Sequence, residues 1–195
     1  VAVQLLWFLG FHGSNVLNPV TQTVAFTDGA SFFLKNFSDT FVSMGGSGTA
    51  ICIWLVLILF MRKKRNGKLA GVATIPVLFN MNEILTFGIP IILNPVLFLP
   101  FVMTPVVMYM ISYIAVWLDI VPAASNQVAW TMPPILSGYM ATGSIRGAVL
   151  QIICIVIGGG IYLPFLKLNE EFETVRGQHQ LSLLVEELKE KENDI

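Results

Sequence analysis

Residues 69–118 read LAGVATIPVLFNMNEILTFGIPIILNPVLFLPFVMTPVVMYMISYIAVWL, fifty residues whose one charged side chain is Glu83. A carboxylate at membrane depth is expensive unless it faces a polar cavity or finds a partner, so such a group marks a functional site by default. Asn80, Asn82 and Asn94 add polarity around it, and Pro76, Gly88, Pro90, Pro95, Pro100 and Pro105 interrupt any single helix. Broken backbone inside a bilayer is tolerated only where protein or a water-filled cavity satisfies the freed groups. The segment therefore reads as a binding site built into a membrane.

The rest of the composition agrees. The 195 residues are 55% hydrophobic and 12% charged, with mean hydropathy +0.74, which places the chain among integral membrane proteins; an all-α one is expected. A net charge of −1 offers no surface for nucleic acid. Cys52 and Cys154 each sit in an apolar run, the setting of buried reduced thiols rather than of a disulfide or metal ligands. There is no Cys/His cluster with zinc spacing, and neither a metal nor a cofactor is expected. The apolar start at Val1 lacks the basic lead of a signal peptide, and a piece of a longer chain is expected.

Charge and proline positions set the expected topology. Residues 1–20 suit a half-membrane helix ending in a Gly/Asn/Pro-rich loop, and the phenylalanines of 21–44 repeat about every four residues, as in an amphipathic interfacial helix or a membrane-facing loop. Gly45 to Met61 gives a first span, short for a bilayer core of about 30 Å. Arg62, Lys63, Lys64, Arg65 and Lys68 follow it and put loop 62–68 in the cytoplasm. Apolar pieces at 71–85 and 91–99, meeting at Phe87-Gly88-Ile89-Pro90, read as a re-entrant hairpin. Phe101–Leu118 crosses outward, 119–146 forms an outer or partly re-entrant loop, and Gly147–Leu163 crosses back. The tail from Pro164, with eight acids against four bases, ends in a short amphipathic helix at the cytoplasmic surface. The expected architecture is about three spanning helices with two re-entrant elements, residues 1–163 forming the membrane domain and 164–195 a cytoplasmic tail.

Glu83 accepts several hydrogen bonds and Asn82 both donates and accepts, which suits a neutral polyhydroxyl ligand. The structural alternative is a carboxylate that caps a half-helix. His12, in Phe11-His12-Gly13-Ser14-Asn15, lies at a change from helix to loop beside Trp7. It is either a hydrogen-bonded core histidine or part of a site where two discontinuous segments meet. Gly158-Gly159-Gly160 lacks the strand and the Lys-Ser/Thr of a phosphate loop, so helix packing explains it better.

The stretches FLGFHGSNVLNPV (8–20) and FNMNEILTFGIPIILNPVLFLPFVMTPVV (79–107) resemble the membrane IIC component of bacterial sugar phosphotransferase permeases, in the lactose/cellobiose/chitobiose branch. The order of histidine loop, span, basic loop, asparagine–glutamate hairpin and two further spans matches as well, over the C-terminal half of that family's length. The resemblance implies a dimeric bacterial cell-membrane permease that binds a β-linked disaccharide. Phosphate would reach the sugar's 6-hydroxyl from a phosphocysteine on a soluble IIB subunit, itself charged by IIA. The family's site histidine and glutamate fall on His12 and Glu83, which become the candidate catalytic residues. His12, Asn82, Glu83 and Asn94 become the candidate substrate-binding set. Ile84-Leu85-Thr86 departs from the pattern, which has a proline soon after the glutamate. A secondary transporter that moves sugar unchanged, with Glu83 coupling protons, is the rival reading, and a nonfunctional half-permease is another.

Overall fold

The computed structural model describes residues 2–11, 13, 16–17, 30–61, 65–89 and 91–193, with side chains from 35 onward in the second helix and up to 184 in the last. His12, Pro90 and the basic residues 62–64 lie outside the described residues. The described chain is all-α: α1 Ala2–Phe8, α2 Ala30–Phe41, α3 Ala50–Phe60, α4 Arg65–Val72, α5 Thr74–Leu78, α6 Glu83–Gly88, α7 Pro95–Trp117, α8 Leu136–Thr142 and α9 Ile145–Asn193. α7 and α9 are long and apolar enough to cross a membrane. They pack against each other, and α9 also packs on α3 and α8.

The expected span Gly45–Met61 is helical only over α3. Gly45, Gly46, Gly48 and Thr49 all have positive φ, from 54° to 99°. Left-handed backbone cannot continue a right-handed helix, so these residues form a loop. Eleven residues rise about 16 Å, roughly half of a bilayer core. Gly48 sits against the Phe101 ring, where any Cβ would overlap it. That contact makes Gly48 a residue of necessity rather than a flexible spacer.

No single helix runs through 70–97. The chain breaks at Asn80 (φ 62°) and again at Leu93 (φ 57°), leaving α5 and α6 as short pieces. The expected second half-piece, 91–99, instead merges into α7, which starts at Pro95 rather than at Phe101. Asn94 caps it, its Oδ1 accepting from Val96 N at 3.0 Å. Pro95 occupies the first turn, where its missing N–H costs nothing.

At the other end, α9 does not stop at Leu163. It runs through Pro164 for 49 residues, about 74 Å of helix. Pro164 and Gly160, the residue whose carbonyl loses its partner, both face outward, so that carbonyl can tilt toward the surroundings without breaking the helix. Gly158 is the close-packing point: a Cβ there would stand 2.5 Å from Cys52 Sγ and 3.1 Å from Thr104 Cγ2. Both cysteines are free and buried. The core they belong to includes Phe41, Met44, Leu57, Phe101 and Tyr162.

Candidate functional site

Asn80 to Glu83 forms a turn that leans on the glycine loop of residues 45–48. Asn80, in left-handed backbone, uses both ends of its amide. Its Oδ1 accepts from Gly45 N at 2.6 Å, and its Nδ2 donates to Trp130 O at 2.5 Å and Met132 O at 3.1 Å. Asn82, 3% exposed, donates from Nδ2 to Thr86 Oγ1 at 3.0 Å and to Ser47 O at 3.3 Å. Gly46 packs so tightly that a Cβ would come within 2.9 Å of Asn80 O and of the Asn82 side chain. The turn and the loop are therefore one rigid unit.

Glu83 occupies the first turn of α6 and is exposed. Among the described residues its carboxylate makes no hydrogen bond and no ion pair. That arrangement is not the cap weighed from the sequence. Asn82 holds the N-cap position with no side-chain cap bond, and the neighbouring carboxylate stays available to a ligand.

The glycine loop is itself held from two other helices. Gly48 N donates to Gln4 Oε1 of α1 at 2.8 Å, and Tyr162 Oη of α9 donates to Gly48 O at 2.6 Å. Asn94 serves elsewhere: besides capping α7, its Nδ2 donates to Asn169 Oδ1 at 2.7 Å, tying the start of α7 to α9 beyond Pro164. Asn82 and Glu83 thus share a turn, while Asn94 is engaged with the long helix. The structure places α1, which precedes His12, against the break before α7. Leu93 N donates to Phe8 O at 3.2 Å, and the Phe8 and Phe98 rings meet edge to face at 4.6 Å.

A second polar cluster lies beside Asn80. Asp39, Thr40, Asn80, Trp130 and Ser137 line a cavity of about 10 Å³, room for one water. Burial pushes the Asp39 carboxyl above its ordinary value of 3.8, and Lys35 on the same helix partly offsets it. Close by, Gln151 of α9 is fully buried. Its Oε1 accepts from Ile135 N (2.5 Å) and Gly138 N (2.9 Å), and its Nε2 donates to Thr40 O (2.6 Å) and Ser137 Oγ (2.9 Å).

Gln4, Asn80, Gln151 and Tyr162 do the holding; the sequence marks Asn80 only as polar company for Glu83 and does not single out the other three. The signal was present. An uncharged polar side chain in an apolar helix, such as Gln151 in AVLQIICIV, needs partners as a charge does, and a search for charges alone passes over it.

This is an all-α, membrane-associated bundle whose polar turn is held between discontinuous helices, the build of a permease domain. Residues 1–105 match the family described as Phosphotransferase system, EIIC. The chain is 36% identical over 196 residues to the lichenan permease IIC component of Bacillus subtilis (strain 168), covering 93% of this chain and 43% of that protein. To the cellobiose-specific EIIC component of Geobacillus stearothermophilus it is 36% identical over 193 residues, 90% of this chain and 43% of that one. Among solved structures it is similar to the transporter ChbC, the IIC component from the N,N'-diacetylchitobiose-specific phosphotransferase system. That match has a TM-score of 0.79 at 30% identity and covers 91% of this chain and 44% of that one. The chain belongs to the phosphotransferase EIIC permease family, in its lactose/cellobiose/chitobiose branch. It spans less than half the length of these relatives.

Proposed function

We propose that this chain is the sugar-binding, C-terminal half of a phosphotransferase permease, with residues 1–163 as its membrane domain and 164–195 as a cytoplasmic tail. The permease carries a β-linked disaccharide across the bacterial cell membrane and presents the sugar's 6-hydroxyl to a phosphorylated IIB subunit, which IIA recharges. The names of its relatives (lichenan, cellobiose, diacetylchitobiose) favour the β-linked class. The full-length protein works as a homodimer.

The observation that carries this reading is where the Asn82–Glu83 turn meets the chain. With loop 62–68 in the cytoplasm, the end of α3 at Phe60 lies at that boundary. Its length of about 16 Å then sets the glycine loop near the middle of a core of about 30 Å. Asn82 is bonded to that loop, so Glu83 sits near the midplane where broken segments converge, the usual place of a transporter site. In this topology α7 and the first part of α9 cross the membrane, and α3 carries the chain from the glycine loop near the midplane to the cytoplasmic side. Residues 71–99 and the N-terminal segment re-enter, and 119–146 starts and ends outside while Trp130 and Met132 reach in to Asn80.

Chemically, the 6-hydroxyl oxygen attacks the phosphorus on the IIB phosphocysteine. The P–S bond breaks and the thiolate leaves on IIB, while the hydroxyl proton passes to Glu83. Phosphoryl transfer has a loose transition state, so holding the hydroxyl in line matters more than strong base catalysis. Glu83 binds that hydroxyl, and His12 binds the same region of the sugar and stabilises developing charge. Asn82 and Asn94 complete the polar lining.

The test is uptake and phosphorylation of a panel of disaccharides by the full-length permease with its IIA and IIB. Accumulation of a 6-phosphorylated β-disaccharide supports the reading. Uptake of unmodified sugar that does not need IIB would show a facilitator instead.

A further inference from the structure

The peptide between Ser47 and Gly48 is gripped on both edges. Its carbonyl accepts from Asn82 Nδ2 at 3.3 Å and its N–H donates to Gln4 Oε1 at 2.8 Å. The next carbonyl, Gly48 O, accepts from Tyr162 Oη at 2.6 Å. Gln4 is 5% and Tyr162 1% exposed. Gln4 Oε1 and Tyr162 Oη both bond the one loop that supports the residue before Glu83. Gly48 also lies against the Phe101 ring, which leaves no room for a side chain there.

We infer that Tyr162 and Gln4 are positioning residues for phosphoryl transfer, fixing the height of Glu83 through the Gly48 loop and Asn82. The inference rests on the functional reading above. A buried hydroxyl and a buried amide from α9 and α1 clamp the loop from two sides. Without either bond the loop can move by a fraction of an ångström, and Asn82 and Glu83 move with it. Binding of the sugar, spread over many hydrogen bonds, tolerates such a shift. In-line transfer does not, because reacting atoms must be held in near-attack geometry.

The experiment uses the full-length permease with its IIA and IIB, rates being expressed per sugar-binding site so that loss of folded protein does not count. Tyr162→Phe removes only the hydroxyl, and Gln4→Leu only the amide. Each is expected to lower kcat for sugar phosphorylation by about tenfold to a hundredfold while the sugar Kd stays within about threefold. In a Glu83→Gln background neither change should lower kcat further, since residues that act as one unit are not additive. A wild-type kcat for both variants, or an equal factor lost again in the Glu83→Gln background, overturns the positioning role. Wild-type kcat in Glu83→Gln alone overturns the functional reading itself, and the two failures are thereby told apart. Rescue by Gln4→Glu, which keeps the acceptor for Gly48 N, supports the clamp, and failure of that rescue counts against it.

Discussion

Gln151→Leu removes four hydrogen bonds at one buried point while keeping the side chain's bulk. The structure gives the cost group by group. Ile135 N and Gly138 N lose their acceptor, and Thr40 O loses its donor. Ser137 Oγ, on a rotatable hydroxyl, is the one partner free to turn elsewhere. The two amides open α8, whose N-cap residue Ile135 has no side chain able to cap, so Gln151 supplies the cap from another helix. Thr40 O belongs to the last turn of α2, where carbonyls have no intrahelical partner. Three stranded groups at about 1–3 kcal/mol each give at least about 3 kcal/mol. For a chain of this size that is a drop in Tm of about 6–12 °C. Thermal unfolding in detergent, followed by loss of monodisperse protein, measures it. Ile153→Leu, on the exposed side of the same helix, serves as the control and should melt like wild type. A Gln151→Leu protein melting within about 2 °C of wild type would refute the reasoning.

Two further outcomes are expected. The folded protein holds the Asp39 proton more tightly than the unfolded chain, because burial raises its carboxyl above 3.8. Its contribution to stability is therefore full below the unfolded value and is lost as pH rises through the raised folded one. Tm measured across about pH 4 to 7 should fall less steeply in Asp39→Asn than in wild type, and identical slopes would remove Asp39 from the account. For topology, Lys68→Cys and Gln127→Cys, both at exposed positions, are placed in a background lacking Cys52 and Cys154. An impermeant thiol reagent on intact cells should label the second and not the first, and equal labelling from one side would sink the proposed orientation.

Much of the fold was legible because prolines and charges act locally. The prolines of 76–105 foretell a broken segment, but the breaks fall at Asn80 and Leu93 rather than at the expected meeting point 87–90, and α7 starts at Pro95 rather than at Phe101. What stayed hidden depends on groups far apart in sequence. Glycines at 45–48 permit helix packing and a left-handed loop alike, and the choice is made by Phe101, Asn80, Gln4 and Tyr162 arriving from other helices. Pro164 reads as a helix end, yet α9 continues because the orphaned carbonyl faces outward. Of the candidate site, Asn82 and Glu83 stand out in the sequence by their rarity in an apolar stretch. Asn94, expected among the substrate-binding residues, is half-buried and bonded to Asn169, a partner 75 residues away.

The central claim is that Glu83 receives the proton of the sugar hydroxyl. Glu83→Gln in the full-length permease keeps the shape and one acceptor while removing that role. Sugar binding, read by equilibrium titration, and phosphate transfer from phosphorylated IIB, read on the same preparation, decide it. The account predicts retained binding with transfer reduced by about a hundredfold or more. Transfer at the wild-type rate would contradict it.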